Sequence, residues 1–392
     1  MATLSVGSGK QYATLSSAVA ASHDGDVIQV QAGNYINDFA EIKTKITIEG
    51  VGGMANLVAT TSPPNGKAIL TTDTDVTLSN LAFSGANVSD GNGAGVRYQS
   101  GNLTINNSYF HDNQDGLLAA SDPSGSITIN NSEFAHNGTG DGQTHNLYVD
   151  DVGSLAINNS YFHDAVVGHE IKSRAANTVI QNSRIQDQDG TASYSVDLPN
   201  GGNATIKNDV IQQGPNSQNP AIISAGEEGN IQSNSSLTVT GNTIINDLNS
   251  PSAVAVVNDT PAIATISNNS IYGLTSDEIA HGPAAISGNV FLSSEPALDT
   301  SSPYASSTAS TGSTASTGSD PSGNAAADPP PASSQNSGQA LDIAGTDPGG
   351  TQPAAPGAGT ILASNGTFTH FAYGHMGTGL SDQGMLALGL WS

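Results

Sequence analysis

This sequence of 392 residues contains no cysteine, so neither a disulfide nor a thiolate metal site can hold it together. Charge is also scarce, at 11% of residues, where an ordinary domain carries roughly a quarter. Basic residues are the scarcest of all: 9 Lys plus Arg stand against 34 Asp plus Glu, for a net charge of −25. A chain so acidic repels nucleic acid and anionic lipid, which excludes both as general partners. No run of 18 apolar residues occurs, so no membrane-spanning helix is expected. Met1-Ala2-Thr3-Leu4-Ser5 carries no basic segment followed by an apolar core, so no N-terminal signal peptide is expected either.

The polar surface must then be made of Asn, Ser, Thr and Gln, with 45 glycines to turn the chain. That suits stacked strands better than amphipathic helices, whose exposed faces usually carry charge. A phrase recurs: an aliphatic residue, one residue, Asn, two residues, then Phe or Ile. It reads Leu78-Ser79-Asn80-Leu81-Ala82-Phe83, then Ile105-Asn106-Asn107-Ser108-Tyr109-Phe110, and returns at 129–134, 157–162, 180–185 and 206–211. Weaker copies stand at 239–244, 266–271 and 286–291. The third positions fall at 80, 107, 131, 159, 182, 208, 241, 268 and 288. A period of about 25 residues means a solenoid, and the apolar–polar alternation within each phrase means strands. One coil cannot bury its own apolar edge, so coils must stack. The reading is an all-β, right-handed parallel β-helix. The recurrent Asn is expected to form a ladder of side-chain amides from coil to coil. A leucine-rich repeat lacks its signature here, and a propeller needs a longer period.

Four segments follow. Residues 1–26 form an N-terminal cap, with Tyr12, Leu15, Ala18 and Val19 at the spacing of a short amphipathic helix. Residues 27–293 form the β-helix. Residues 294–358, rich in Ser, Thr, Ala, Gly and Pro, form a flexible linker. Residues 359–392 recover apolar residues and form a tail, either an end cap or an export signal.

Three of the nine basic residues, Arg97, Lys172 and Arg174, fall on one strand face. With Val96, Leu117, Leu147, Ile171, Val196 and Ile222 aligned as inward residues, those one before, one after and three after point outward. Tyr148, Lys172 and Asp197 then become neighbours on successive coils. Asn146, Asp150 and Glu170 join them on the outer face, and His145 and His169 stand at its edge. A basic and aromatic spot on an acidic rod suits a uronate-bearing sugar, with Arg or Lys pairing with the carboxylate. Lys172, Tyr148, His145 and Glu170 are the candidate acids and bases. Arg97, Asn146, Arg174, His169 and Asp197 are the candidate substrate contacts, and Asp150 and Glu170 the candidate metal ligands. Asp150, Glu170 and Asp197 would equally offer the carboxylate pair of a glycoside hydrolase. His111 and His163, each closing a Tyr-Phe-His-Asp phrase, are expected as turn residues without function.

The coil phrases, the N-terminal helix and Glu170-Ile171-Lys172-Ser173 resemble the pectate-lyase-like superfamily of right-handed β-helices over about residues 4–293. Within it, the last segment resembles the chondroitinase B and alginate lyase group. That group has a Lys-Ser pair, an acidic calcium ligand a few residues earlier, and an Arg on the following coil. The resemblance implies Lys172 as base, Glu170 as a ligand, and calcium as cofactor. The following coil here, Tyr194-Ser195-Val196-Asp197-Leu198-Pro199, has no Arg. The expected function is a lyase or epimerase on a uronate polysaccharide, outside the cell or on its surface, reached without an N-terminal signal. The alternative is a non-catalytic polysaccharide-binding surface, matrix or fibre protein.

Overall fold

The computed structural model describes residues 1–304. They form a right-handed parallel β-helix in which every strand pairing is parallel. A typical coil carries three strands, such as Val152–Asn158, Tyr161–His163 and Ile171–Ser173. Strands of the first two kinds, on either side of the recurrent Asn, join into one network of 21 strands. Strands of the third kind form a separate sheet of ten. Coils lie about 4.8 Å apart. Equivalent residues therefore stack, as Ile105, Ile129, Ile157, Ile180 and Ile206 do in one inward column. Phe83, Phe110, Phe134 and Phe162 stack in another, their centroids 4.7, 4.4 and 4.7 Å apart. These fully buried columns are the core.

The recurrent Asn has a different role from the one its spacing suggests. Asn80, Asn107, Asn131, Asn159, Asn182, Asn208 and Asn268 all take φ between 47° and 57°, the left-handed conformation that Asn tolerates best after glycine. Apart from Asn80, which packs more closely, their side chains are exposed. The ladder of side-chain amides belongs to the residue before it, Asn130 donating to Asn106, Asn158 to Asn130 and Gln181 to Asn158, and a second ladder belongs to the residue after it. At this corner the backbone N–H of Ser108 donates to Ser132 Oγ, that of Ser132 to Ser160 Oγ, and that of Ser160 to Ser183 Oγ. Asp209, Asn242 and Asn269 continue the column in the same way. A corner leaves these amides without a strand partner, and a short buried acceptor supplies one.

The helix Leu15–Ala21 covers the first coil, burying Leu15, Ala18 and Val19. Thr14 caps it by accepting from Ser17 N–H, and the Asp38 carboxylate accepts from Leu15 and Ser16 N–H. The β-helix begins earlier than expected, because Thr3–Val6 already pairs with Val27–Val30 and the helix is an insertion between them. At the other end, residues 299–304 lie on the second face of the coils, although they were expected to begin the linker. Asp299 pairs with Arg184 at 3.3 Å, Ser302 Oγ donates to Glu133 Oε2 at 2.7 Å, and the Tyr304 hydroxyl donates to Asn131 O. The rest of the expected linker and the apolar tail lie outside the described residues. Among the described residues, no helix is long and apolar enough to cross a membrane.

Candidate functional site

On the ten-stranded sheet the outward column runs Thr71, Arg97, Leu118, Tyr148, Lys172, Asp197 and Ser224. Tyr148, Lys172 and Asp197 are neighbours, as the alternation predicts. The register slips at the next coil: Val196 pairs with Ile223, not Ile222, so Ser224 follows Asp197 in the column. Arg174 also faces outward, beside the column. Arg97 lies three coils from Lys172, about 14 Å away, and faces Asp115 and Asp150. Burial disfavours its charge more than they restore it.

Two candidates are not on the outer face. Asn146 and Glu170 precede their strands, where the chain is still turning and strand alternation does not hold. Both are fully buried in the corner. Asn146 Nδ2 donates to His163 O and to Glu170 Oε2, and Ala165 N–H donates to Glu170 Oε1. Glu170 thus extends the corner column of Asn113 and Asn137, whose side chains bind Phe83 O and Phe110 O. Burial, helped by Asp187, pushes its pKa up to about 8. It can neither meet a substrate nor share a cation with Asp150. Among the described residues, the groups close enough to do that are Asp197 with Glu227 and Glu228, and His136 with His163 and Asp164. With Glu170 withdrawn, Asp150 and Asp197 remain of the three carboxylates expected for a hydrolase pair.

His145 and His169 are buried and stacked, with ring centroids 4.7 Å apart. His145 Nδ1 accepts from His169 N–H at 3.0 Å, and His169 Nδ1 accepts from Tyr194 N–H at 3.2 Å. A backbone amide can only donate, so each Nδ1 is bare and each ring keeps its proton on Nε2. Burial, then the nearby Lys172 and Arg174, hold both rings neutral well below the usual histidine range. With each Nδ1 taken by a backbone N–H, the remaining donor of each ring is its Nε2–H, and that of His169 lies 3.5 Å from Asp197.

The centre of the face is held by a residue that the pattern does not reveal. The loop of residues 226–235 folds back over the column, tied by Glu228 N–H to Pro199 O and by Gln232 Nε2 to Arg174 O. It brings the Glu228 carboxylate to 2.8 Å from Lys172 Nζ and 2.6 Å from Arg174 Nη2. Arg174 Nε donates to the Tyr148 hydroxyl at 3.0 Å, and its Nη1 donates to Asn200 at 2.7 Å. Asp197 stands 3.5 Å from Lys172 and 3.5 Å from His169 Nε2, and neither of its oxygens has a hydrogen bond. Burial raises Asp197 to about 7 despite Lys172. Burial also opposes the Lys172 ammonium, but Asp197 and Glu228 outweigh it and the net shift is upward. Burial raises the Tyr148 phenol, with Arg174 pulling the other way. Glu227 accepts from the Tyr194 hydroxyl at 2.5 Å. The one available signal was Gly226-Glu227-Glu228-Gly229, an adjacent glutamate pair in a chain poor in charge.

Residues 44–211 match the family model described as right handed beta helix region. No curated protein sequence matches the chain. Among solved structures, an alginate lyase from Paenibacillus sp. str. FPU-7 is similar at a TM-score of 0.52 and 18% identity, covering 74% of this chain and 99% of that one. ORF18 of Geobacillus virus E2 is similar at 0.47 and 12%, covering 69% and 54%. PfbA, a surface adhesin of Streptococcus pneumoniae, is similar at 0.45 and 14%, covering 70% and 86%. At 18% identity the first shows a shared fold and nothing finer.

Proposed function

We propose that this β-helix acts outside the cell or at its surface on a uronate-bearing polysaccharide, as a lyase or epimerase, at the face of Tyr148, Lys172 and Arg174. The observation that carries this reading is the Glu228 carboxylate, gripped by an ammonium and a guanidinium beside a tyrosine ring. The face binds a carboxylate, and a uronate entering it would take the place of Glu228. Removing Glu228 also takes away an anion that keeps Lys172 protonated. Burial, the strongest influence on Lys172, opposes its charge, while Asp197 still favours it.

In a lyase step the Lys172 amine takes the proton from the carbon bearing the carboxylate. Arg174 neutralises that carboxylate. The electron pair forms a C=C bond as the glycosidic C–O bond breaks, and the Tyr148 hydroxyl gives its proton to the leaving oxygen. In an epimerase step the proton returns to the same carbon from the opposite face. Incubating the full chain with alginate, polygalacturonate and glycosaminoglycans, with and without calcium, tests the reading. Absorbance of an unsaturated product, or inversion seen by NMR, supports it. Neither signal on any polymer removes the catalytic claim.

The same observation favours a second reading, in which the face binds acidic glycan without turning it over, because Lys172 is already saturated by two carboxylates. A glycan array showing uronate binding that is lost in Lys172→Ala, with no product in the assays, selects that reading.

A further inference from the structure

The second face of the coils carries a separate cluster that the proposed reaction does not use. Glu133, Tyr161 and Arg184 follow one another in an outward column, and Ala135, His163 and Gln186 in the column beside it. One residue on, His136 and Asp164 occupy equivalent positions on adjacent coils. Both are in the left-handed conformation, with φ of 54° and 53°. That shared twist turns both side chains out beside His163. The His136 and His163 rings meet edge to face with centroids 5.5 Å apart.

We propose that His136, His163 and Asp164 form a binding site for a divalent transition metal of the zinc type, with one coordination position open. One donor atom from each lies within 4.8 Å of the others. Binding an ion with bonds of about 2.0–2.2 Å draws His136 inward and parts His163 from Asp164 by under about 1 Å, and His136 is exposed, with no hydrogen bond on its imidazole among the described residues. His163 is the fixed member. Its Nδ1 lies 2.6 Å from Asp164 Oδ2, a hydrogen bond whose proton a bound ion would displace as the two atoms part. Its Nε2 lies 3.0 Å from Glu133 Oε1, and Glu133 is fully buried. A buried carboxylate on the far nitrogen of a ligating histidine fixes its orientation and strengthens it as a donor. Tyr161 stacks on the same ring at 4.2 Å. Two imidazoles and one carboxylate suit zinc or its neighbours better than calcium, which prefers oxygen. The open position faces a shallow surface depression lined by His136, Asp164, Gln188 and Asp189.

The twin phrase supplies a control. His111 Nδ1 also contacts its neighbour Asp112, at 2.7 Å. Among the described residues, however, His111 has no buried glutamate on its other nitrogen and belongs to no such donor group.

The test uses the full chain, dialysed against chelator, with millimolar calcium present to occupy the acidic surface. Zn²⁺ is titrated by calorimetry, and Co²⁺ is followed by its visible absorption. The expected result is one equivalent bound, with the absorption of low-coordinate cobalt. His136→Ala should weaken binding by on the order of 100-fold while leaving the melting temperature of the chelated protein unchanged. His111→Ala should bind as the parent does. No stoichiometric binding by the parent chain overturns the proposal. Binding that survives unchanged in His136→Ala, or is lost equally in His111→Ala, overturns it too.

Discussion

Glu228 reaches back two coils to place its carboxylate 2.8 Å from the Lys172 ammonium, 56 residues earlier in the chain. The contact closes the face over the most basic spot of a strongly acidic rod. Together with Asp197 it holds charged the residue proposed to move a proton, against the effect of burial.

Glu228→Ala removes this internal occupant. If the loop carboxylate competes with a uronate, the variant binds acidic polymer at least several-fold more tightly and turns it over at a lower pH. Stability changes by about 1 kcal/mol or less, because the carboxylate is partly exposed. Binding isotherms and a pH–rate profile read both effects. Weaker binding in the variant would make Glu228 part of the binding machinery instead.

Tyr148→Phe keeps the ring and loses the hydroxyl that Arg174 Nε holds at 3.0 Å. Turnover should fall by roughly 10²–10⁴-fold, the usual range for a lost acid–base group, while polymer affinity stays near that of the parent. An unchanged turnover rate assigns the leaving-group proton to another donor.

Glu170→Gln tests the buried corner. Burial raises the Glu170 carboxyl from 4.5 to about 8 in the folded chain. The folded state therefore holds a proton that the unfolded state has released. Between pH 4.5 and about 8 this group makes stability fall as pH rises, by up to about 1.4 kcal/mol per unit. Glutamine does not titrate, so the variant should gain on the parent steadily across that window. Urea unfolding midpoints at several pH values measure the gap. Parallel curves would mean that Glu170 is ionised with an ordinary pKa.

Phe134→Ala empties the middle of the four-ring stack, whose neighbours lie 4.4 and 4.7 Å away. Rigid columns on both sides limit collapse into the space, so the cost should be roughly 3–5 kcal/mol. Chemical denaturation measures it. A cost near that of a surface change would show that adjacent coils close the gap.

Two shortened chains isolate the contacts of residues 299–304. A chain ending at Tyr304 keeps the Asp299 and Ser301 contacts to Arg184 and the Ser302 contact to Glu133, and a chain ending at Leu298 loses them. The shorter chain should melt a few degrees lower. Identical melting curves would show that these contacts add nothing to the rod.

Much of this molecule follows from local pattern. Apolar residues alternating within a phrase, and the phrase returning every coil, dictate parallel stacking, because like residues must lie over like. The N-terminal helix follows from its own spacing. The adjacency of Tyr148, Lys172 and Asp197 follows from alternation once three inward residues are aligned. Each of these depends on neighbours in sequence or on the repeat itself.

What only the tertiary structure decided lies at the corners and in the loops. Asn146 and Glu170 turn inward because they precede their strands, and an unpaired corner amide needs a buried acceptor. The ladders fall on the residues either side of the recurrent Asn, Asn106, Asn130 and Asn158 before it and Ser108, Ser132 and Ser160 after it, because the recurrent Asn is there for its backbone twist. Ile223 takes the column position rather than Ile222 because both are buried and only the strand pairing distinguishes them. Glu228 meets Lys172, and His136 meets Asp164, through stacking across coils. Periodicity fixes which residues repeat, but a contact between a loop and a distant coil has no period, and only the folded chain contains it.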